Sequence, residues 1–247
     1  MEVGLRSVLA DNPGPFTLDG TRTFVVGERR AAVIDPGPDV EAHVRAVSSL
    51  VADADRVVIV LTHGHSDHAG AAARLAAATG AERVGAGPVQ RVLGDGESVP
   101  TDVGELVAVA TPGHAQEHLC FHWPSRAALF AGDLILGQGD TTLVAGYPGC
   151  AADYLSSLER LRTLALRRIY PAHGDPIDDV DARLARFEAH RRARIAQVNA
   201  VLEEHPSATR VEILERVYGG TVPPALHPAA LESLGALLDY LGEAARA

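Results

Sequence analysis

Three histidines and an aspartate lie within six residues, directly after an apolar stretch of the sequence. The stretch is residues 56–62 (RVVIVLT), and the side chains that follow it are His63, His65, Asp67 and His68. Imidazole and carboxylate groups bind zinc, iron or manganese, and such a dense cluster has no role in packing an apolar core. His63 and His65 can turn toward one ion, and Asp67 and His68 can turn toward a second. The cluster therefore predicts a metal site.

Three later segments each place one ligand-type side chain just after an apolar run. They carry His114 in TPGH, Asp133 in AGD and His173 in PAHG. Each short motif means little by itself, but strand ends on one side of a sheet converge in space, so the four segments are expected to build one site. Asp35 also ends an apolar run, and we expect it to hold a metal-binding loop through hydrogen bonds.

The elements that position these side chains follow from the apolar spacing. Residues 21–27 and 31–35 predict a hairpin, and the continuous β-branched run at 56–62 is typical of a strand buried on both faces. Further elements follow along the chain, with helices at 40–53, 68–78 and 154–164 and strands at 106–111, 118–122, 127–131 and 168–172. This mixture indicates an α+β fold in which packed sheets are flanked by helices.

The pattern changes after Pro176. Residues 181–204 predict one long charged helix that ends before Pro206, and Ser207 is the expected N-cap of a helix at 208–218. Glycines and prolines at 219–224 precede a last helix at 228–245. We therefore predict a main domain at 1–178 and a helical domain at 179–247. The helical domain is too small for a large core of its own, so it docks on the main domain or on a partner.

Composition excludes several chemistries. The chain has 247 residues and a net charge of −10, and all 22 basic side chains are arginine. Without lysine there is no Walker-type phosphate loop and no Schiff-base nucleophile. Cys120 and Cys150 are too few for a cysteine-rich metal site or a disulfide framework. We find no signal peptide and no apolar run of the roughly 18 residues that a membrane span needs, so we expect a cytoplasmic protein with no membrane partner.

The order HGHSDH, PGH, GD and a last histidine after a strand resembles the metallo-β-lactamase superfamily over residues 35–173. The resemblance implies an αββα sandwich, followed here by a small winged-helix-like domain. It also implies seven ligands for two divalent ions. His63, His65 and His114 hold one ion, Asp67, His68 and His173 hold the other, and Asp133 bridges them. Zinc is the expected metal, and iron and manganese accept the same ligands.

Within that superfamily, further stretches resemble the β-lactamase-like protein 2 group, a relative of the hydroxyacylglutathione hydrolases. They are residues 12–15, 20–23, 113–121, 153–155, His190 with Arg191, and Arg194. The chain departs from the group at Arg22, where the group usually has asparagine. If that loop contacts substrate, the specificity of this chain differs.

Two metal ions about 3.5–4 Å apart lower the pKa of a bridging water from its value in bulk solvent to ~7. The predicted reaction is therefore hydrolysis by a metal-bridging hydroxide, with Asp67 as a candidate for orienting the nucleophile. Two interpretations of His118 stay open. It is either a proton donor or contact to an anionic substrate group, or a strand histidine satisfied by its neighbours.

Two substrate classes fit this chemistry. Scarce aromatic residues and the negative charge favour a small anionic ester or thioester. The alternative is an endoribonuclease or phosphodiesterase acting on single-stranded RNA, with a phosphate backbone tracked by Arg183, Arg186, Arg191, Arg192 and Arg194. We prefer to interpret these arginines as a solvated helix face. β-Lactam hydrolysis is disfavoured, since lysine is absent and the bridging Asp133 is present. A third class is a binding module in which the tail contacts nucleic acid, but we favour a role of the tail at the pocket rim or in a homodimer.

Overall fold

A computed structural model describes residues 2–220, 222–223 and 226–242. Its strands are β1 (Leu5–Leu9), β2 (Arg22–Val26), β3 (Arg30–Ile34), β4 (Arg56–Leu61), β5 (Glu82–Gly85), β6 (Arg91–Val92), β7 (Ser98–Thr101), β8 (Gly104–Ala110), β9 (Leu119–Trp123), β10 (Ala128–Gly132) and β11 (Arg168–Pro171). Its α-helices are α1 (Glu41–Leu50), α2 (Ser66–Ala69), α3 (Ala72–Thr79), α4 (Cys150–Arg162), α5 (Val180–Glu204), α6 (Arg210–Tyr218) and α7 (His227–Tyr240). Within these residues, none of the helices is both long and apolar enough to cross a membrane.

The strands form two mixed sheets. The first has the order β1-β2-β3-β4-β5-β6, and the second has the order β11-β10-β9-β8-β7. β2 and β3 pair antiparallel with Phe24 opposite Ile34, which confirms the predicted hairpin. β4 lies between β3 and β5 and is parallel to both. A strand in that position is covered on both faces, as its continuous apolar sequence predicts.

Side-chain alternation along the strands builds a four-layer αββα sandwich. In β4, Val58 and Val60 point into the core between the two sheets, whereas Ile59 and Leu61 pack with α1 and α3. In β10, Phe130 faces the core between the sheets and Leu129 packs toward α4 and α5. Each buried side chain of this size contributes about 1.5–3 kcal/mol. The layers confirm the predicted sandwich of sheets flanked by helices.

The last three helices pack on the main domain. The first half of α5 contributes Val180, Leu184 and Phe187 to the cluster beneath the second sheet. Its second half packs with α6 and α7 through a separate apolar cluster that includes Val198 and Leu234. One continuous helix, which begins just after the predicted boundary at 178/179, therefore contributes to both cores.

The described part of the tail differs from the prediction in two details. The N-cap of α6 is Thr209, not Ser207, because Thr209 and Glu212 form a capping box. Within the described residues no strand follows β11, so the helices of the predicted winged-helix-like unit are present without a wing. Residues 243–245, which were predicted to extend the last helix, lie outside the described residues.

Candidate metal centre

The structure brings all seven predicted metal ligands together at the ends of strands. β4 leads into His63 and His65, β10 leads into Asp133, and β11 is followed by His173. The ligands form two groups that share one residue, and within each group the ligand atoms lie within 4.8 Å of one another. One group is His63, His65, His114 and Asp133, and the other is Asp67, His68, Asp133 and His173.

The imidazole nitrogen atoms of the first group lie close together, but they do not carry enough protons to hydrogen-bond to one another. Nε2 of His63 and Nε2 of His114 lie 2.9 Å and 3.0 Å from Nδ1 of His65. Nδ1 of His114 donates to the Leu143 carbonyl, and Nδ1 of His63 contacts the Thr62 hydroxyl. With these protons committed to Nδ1, both Nε2 atoms carry lone pairs toward the same point. A cation at that point would be coordinated by Nε2 of His63, Nε2 of His114 and Nδ1 of His65.

The second group combines nitrogen lone pairs with carboxylate oxygens. Nδ1 of His68 donates to Asp35, and Nδ1 of His173 donates to the Gly20 carbonyl. Their Nε2 atoms lie 3.3 Å and 3.2 Å from Oδ1 of Asp133. All three atoms are buried and lack a well-directed hydrogen bond within the described residues. Buried polar atoms of this kind cost free energy, and a bound cation would satisfy them.

Asp133 faces both groups. Its Oδ1 lies near His68 and His173, and its Oδ2 lies 3.5 Å from Nε2 of His114. Burial disfavours the ionised carboxylate, but the neighbouring His68 and His173 hold its pKa well below the ordinary range. Burial likewise disfavours charge on His173, but hydrogen bonding to Asp133 and Asp67 raises its pKa to about 10. The carboxylates of the centre are therefore ionised and attract positive charge, which is supplied either by protons on the imidazoles or by a bound cation that displaces those protons.

Asp35 supports the metal-binding loop as expected. Its Oδ1 accepts the backbone N–H of Thr62 at 2.8 Å, and its Oδ2 accepts the Thr62 hydroxyl at 2.7 Å and Nδ1 of His68 at 2.8 Å. These bonds fix the tautomer of His68 so that Nε2 faces the second group. The Thr62 hydroxyl in turn contacts Nδ1 of His63 at 3.0 Å and so helps to orient that imidazole.

His118 is buried next to the centre and does not line the cavity in front of it. Its side chain is 1 % exposed, Nδ1 contacts the Thr111 hydroxyl at 3.0 Å, and Nε2 accepts the backbone N–H of Asp133 at 3.3 Å. Burial and the neighbouring His114 lower its pKa to about 3. A neutral histidine with both nitrogens engaged cannot reach a substrate. The structure therefore supports the interpretation of a satisfied strand histidine and argues against the proton donor.

A cavity of about 410 Å³ opens onto the ligands. It reaches His65, Asp67, His114 and Asp133 on one side. Its other walls come from the loop before β2, from the segment between β10 and α4, and from the helical tail. These walls are mostly apolar and consist of Pro15, Phe16, Leu136, Thr141, Thr142, Leu143, His190, Arg191, Arg194, Tyr218, Val222, Leu226, Ala229, Ala230 and Ser233. The tail therefore shapes the pocket rim, which we favoured from the sequence.

The arginines of α5 do not form one solvated face. Arg192 is exposed and pairs with Glu188 at 2.7 Å, and Arg186 lies 4.0 Å from Asp140. Arg183 donates to backbone carbonyls of the segment before α4. The interpretation as a solvated face is wrong for Arg191, which is 2 % exposed and packs beneath that segment.

Arg22, the departure noted in the sequence, lies beside the loop that carries His173. Its Nη2 contacts Asp19 at 3.1 Å and the Gly174 carbonyl at 3.5 Å. Asp19 in turn accepts the backbone N–H of Gly174 at 2.9 Å. Arg22 is therefore engaged in joining two loops, and it is not among the residues that line the cavity.

The chain belongs to the metallo-beta-lactamase superfamily. The sequence pattern of that superfamily matches residues 17–98 and 81–173, which together contain the seven predicted ligands. The fold and the candidate metal centre described above agree with this membership. The chain is accordingly a hydrolase.

Among its relatives is the beta-lactamase-like protein 2 homolog of Caenorhabditis elegans, which is 32 % identical over 95 % of this chain and 82 % of the relative. A protein of Aspergillus chevalieri named atrochrysone carboxyl ACP thioesterase is 32 % identical, over 91 % of this chain and 76 % of its own length. The crystal structure of a beta-lactamase domain protein from Burkholderia ambifaria superposes with a TM-score of 0.84 at 23 % identity, covering 98 % and 87 % of the two chains. That last likeness concerns the fold.

Proposed function

We propose that the chain is a dinuclear metal-dependent hydrolase of small anionic esters, with thioesters as its principal substrates. The observation that carries the proposal is the cavity, which joins the proposed metal ligands Asp67 and Asp133 to an apolar chamber bounded in part by the helical tail. A chamber of about 410 Å³ suits a small acyl group. The relative named as an acyl carrier protein thioesterase supports the same reaction class.

The donor set fits two divalent ions, because the lone pairs and carboxylate oxygens described above converge on two points and share Asp133. Such ions, when bound, supply a water of lowered pKa and polarise the scissile carbonyl. Asp67 uses Oδ2 to contact His68 and His173. Burial opposes its charge, but the hydrogen bonds from these histidines lower its pKa, so the carboxylate is ionised. We propose that its other oxygen, Oδ1, orients the attacking water by accepting a hydrogen bond from it.

Positioning residues complete the mechanism. His118 accepts the backbone N–H of Asp133 and thereby fixes the start of the loop that carries the shared ligand. The apolar wall, which includes Phe16 and Leu226, excludes water from the acyl group of the substrate. Exclusion of water strengthens the electrostatic interactions within the centre.

RNA cleavage is the alternative class. It was motivated by a row of arginines on α5, but Arg186 and Arg192 pair with acidic side chains and Arg183 is held by backbone carbonyls. The cavity is lined mostly by apolar side chains and is bounded by helices α6 and α7. These features favour the small substrate over a polynucleotide.

The experiment is a comparison of substrates with a matched pair of variants. The purified protein is assayed with S-D-lactoylglutathione, with simpler thioesters and with labelled single-stranded RNA. We expect thioester hydrolysis that disappears in Asp133→Ala and persists in Asp55→Ala, since Asp55 is an exposed carboxylate paired with Arg29. RNA cleavage that vanishes in Asp133→Ala, without thioester turnover, would replace the proposal with the alternative.

The metal and the assembly have their own tests. Elemental analysis is expected to give close to two equivalents of metal per chain, with zinc as the predicted metal. Activity in protein stripped of metal would refute the mechanism. Four further predictions remain. Limited proteolysis tests the division at 178/179, and a crystal structure tests the winged-helix-like tail. Ultracentrifugation tests the homodimer, and cell fractionation tests the cytoplasmic location.

A further inference from the structure

Arg191 is a buried cation that has no acidic partner among the residues that the structure describes. It is 2 % exposed, Nη1 donates to the Ser233 hydroxyl at 3.2 Å, and Nη2 donates to the Thr142 carbonyl at 3.0 Å. Its guanidinium carbon lies 5.3 Å from the centre of the Tyr154 ring, and its Nε is buried without a hydrogen bond. Within the described residues no carboxylate lies within 4.0 Å of it. A buried charge without a counter-charge costs free energy, which an anionic ligand would recover.

Arg194 lies one helical turn further along α5, and it too has no acidic partner within the described ranges of the chain. Its Nη1 donates to the Val217 carbonyl at 2.7 Å and to Oε1 of Gln197 at 3.1 Å, and its guanidinium lies 4.6 Å from the centre of the Tyr218 ring. In the described part of the chain, no hydrogen bond occupies its Nε or Nη2. One edge of the guanidinium is thus anchored by the protein and the other edge is available.

Both arginines line the same cavity as the metal ligands. Residues three apart on a helix lie on one face, so the two guanidinium groups are neighbours. The other arginines of the α5 row are either paired with carboxylates or held by carbonyls, as described above. The cavity therefore has carboxylates and imidazoles at one side and two uncompensated cations on the helical wall.

We infer that Arg191 and Arg194 bind a carboxylate on the acyl group of the substrate, so that the enzyme selects thioesters of dicarboxylic or otherwise carboxylated acids. This inference rests on the proposed thioester hydrolase function and names the substrate class for it. Guanidinium groups bind carboxylates through charge-assisted, often bidentate hydrogen bonds. The deep position of Arg191 places the anion on the acyl group. A thiol carrier would instead remain at the open side of the cavity.

The test uses N-acetylcysteamine thioesters that differ in one group. In the pairs succinyl with butyryl and glutaryl with pentanoyl, a carboxylate replaces a terminal methyl group. We expect kcat/KM to favour the carboxylated member of at least one pair tenfold or more. Arg194→Gln and Arg191→Gln should each reduce that preference about tenfold, the effect of losing one charge-assisted hydrogen bond. Arg192→Gln is the matched control, because it removes an exposed arginine of the same helix and should keep the preference.

Three outcomes would overturn the inference. These are no preference in the wild type, a preference that neither variant reduces, or an advantage of butyryl-coenzyme A over the butyryl thioester that Arg194→Gln removes. The last result would assign the anion to the thiol side. Because Arg191 is buried, its replacement can destabilise the fold, so the Tm of Arg191→Gln is measured alongside its kinetics. Arg194 is only half-buried, and Arg194→Gln therefore tests the preference independently of stability.

If no thioester is hydrolysed, the proposed function has failed, and the anion site is tested by itself. Glutarate should then raise the Tm of the metal-loaded wild type more than that of Arg194→Gln. Equal shifts in the two proteins would refute the anion site as well.

Discussion

Nδ1 of His68 donates a hydrogen bond to the Asp35 carboxylate at 2.8 Å, and both side chains are almost completely buried. The bond orients His68 and raises the electron density on its Nε2, which faces the second ligand group. Asp35→Asn removes the charge but keeps the shape, and asparagine tolerates the left-handed backbone of this position (φ +46°). We expect metal affinity to fall about 10–100-fold. Competition with a chromophoric chelator measures this loss.

The matched control is Asp39→Asn, which changes an exposed carboxylate that pairs with Arg74 outside the centre. Its metal affinity should equal that of the wild type. If Asp35→Asn also binds metal as tightly as the wild type, the orienting role of Asp35 is refuted.

Gly132, the last residue of β10, positions Asp133. It has a φ of +48°, and a Cβ there would lie 2.7 Å from both Oγ1 of Thr62 and Nε2 of His118. Gly132→Ala should therefore lower the free energy of unfolding by about 2–4 kcal/mol, through left-handed strain and overpacking together, and weaken metal binding. Urea unfolding and metal titration test both effects.

Gly96→Ala separates the two contributions to that loss. Gly96 has a φ of +81°, but a Cβ there would have no neighbour within 4 Å. It should cost only the strain of the left-handed backbone, about 1–2 kcal/mol, and leave metal binding unchanged. Equal losses in the two variants would mean that crowding at Gly132 has no role.

The sequence predicts those parts of the fold whose signal is local. The run 56–62 marks β4 because a strand covered on both faces has no polar alternation, and HGHSDH marks the metal-binding loop because few other roles bring such side chains together. β1 (Leu5–Leu9) was not predicted, since LRSVL has a weak pattern and its pairing with β2 comes from tertiary structure. The choice of Thr209 over Ser207 as N-cap depended on Glu212, three residues after the cap.

The cavity could not be predicted from the spacing of residues in the sequence. Its walls come from Phe16, Thr142, Arg191 and Tyr218, which lie far apart in the chain and share no periodic pattern. In sequence Arg191 is one charge among several on α5. It is buried because Tyr154, on another helix, packs against its guanidinium. Tertiary packing, and not the local residue pattern, therefore separates the cavity arginines from the solvated ones.

His43 makes the stability of the fold sensitive to acid. It is buried, and its Nε2 contacts the Thr23 hydroxyl, which donates to the Asp35 carbonyl. Burial lowers the pKa of His43, and the nearby Pro36 carbonyl offsets this only in part. Below pH ~6.5 the unfolded chain therefore binds a proton that the folded chain binds more weakly, so stability falls as the pH falls. The loss reaches at most about 1.4 kcal/mol per pH unit.

Urea unfolding at several pH values between about 7.5 and 5.5 tests this dependence. His43→Gln should reduce the slope of stability against pH, whereas His205→Gln, at the end of α5 and partly exposed, should reproduce the wild-type slope. A His43→Gln slope equal to that of the wild type would show that another group governs the acid dependence.

Phe16 should set the affinity for apolar acyl groups. It lines the cavity with half of its surface exposed, so its ring is free to cover an acyl chain that enters. Phe16→Ala removes a contact worth about 1–2 kcal/mol, which should raise KM for a hexanoyl thioester about 5–30-fold with kcat nearly unchanged. An acetyl thioester, too short to fill the chamber, should lose much less.

Val92→Ala is the control, since Val92 is an exposed apolar residue of β6 away from the cavity. Equal losses for acetyl and hexanoyl substrates would contradict a role of Phe16 in binding the acyl chain.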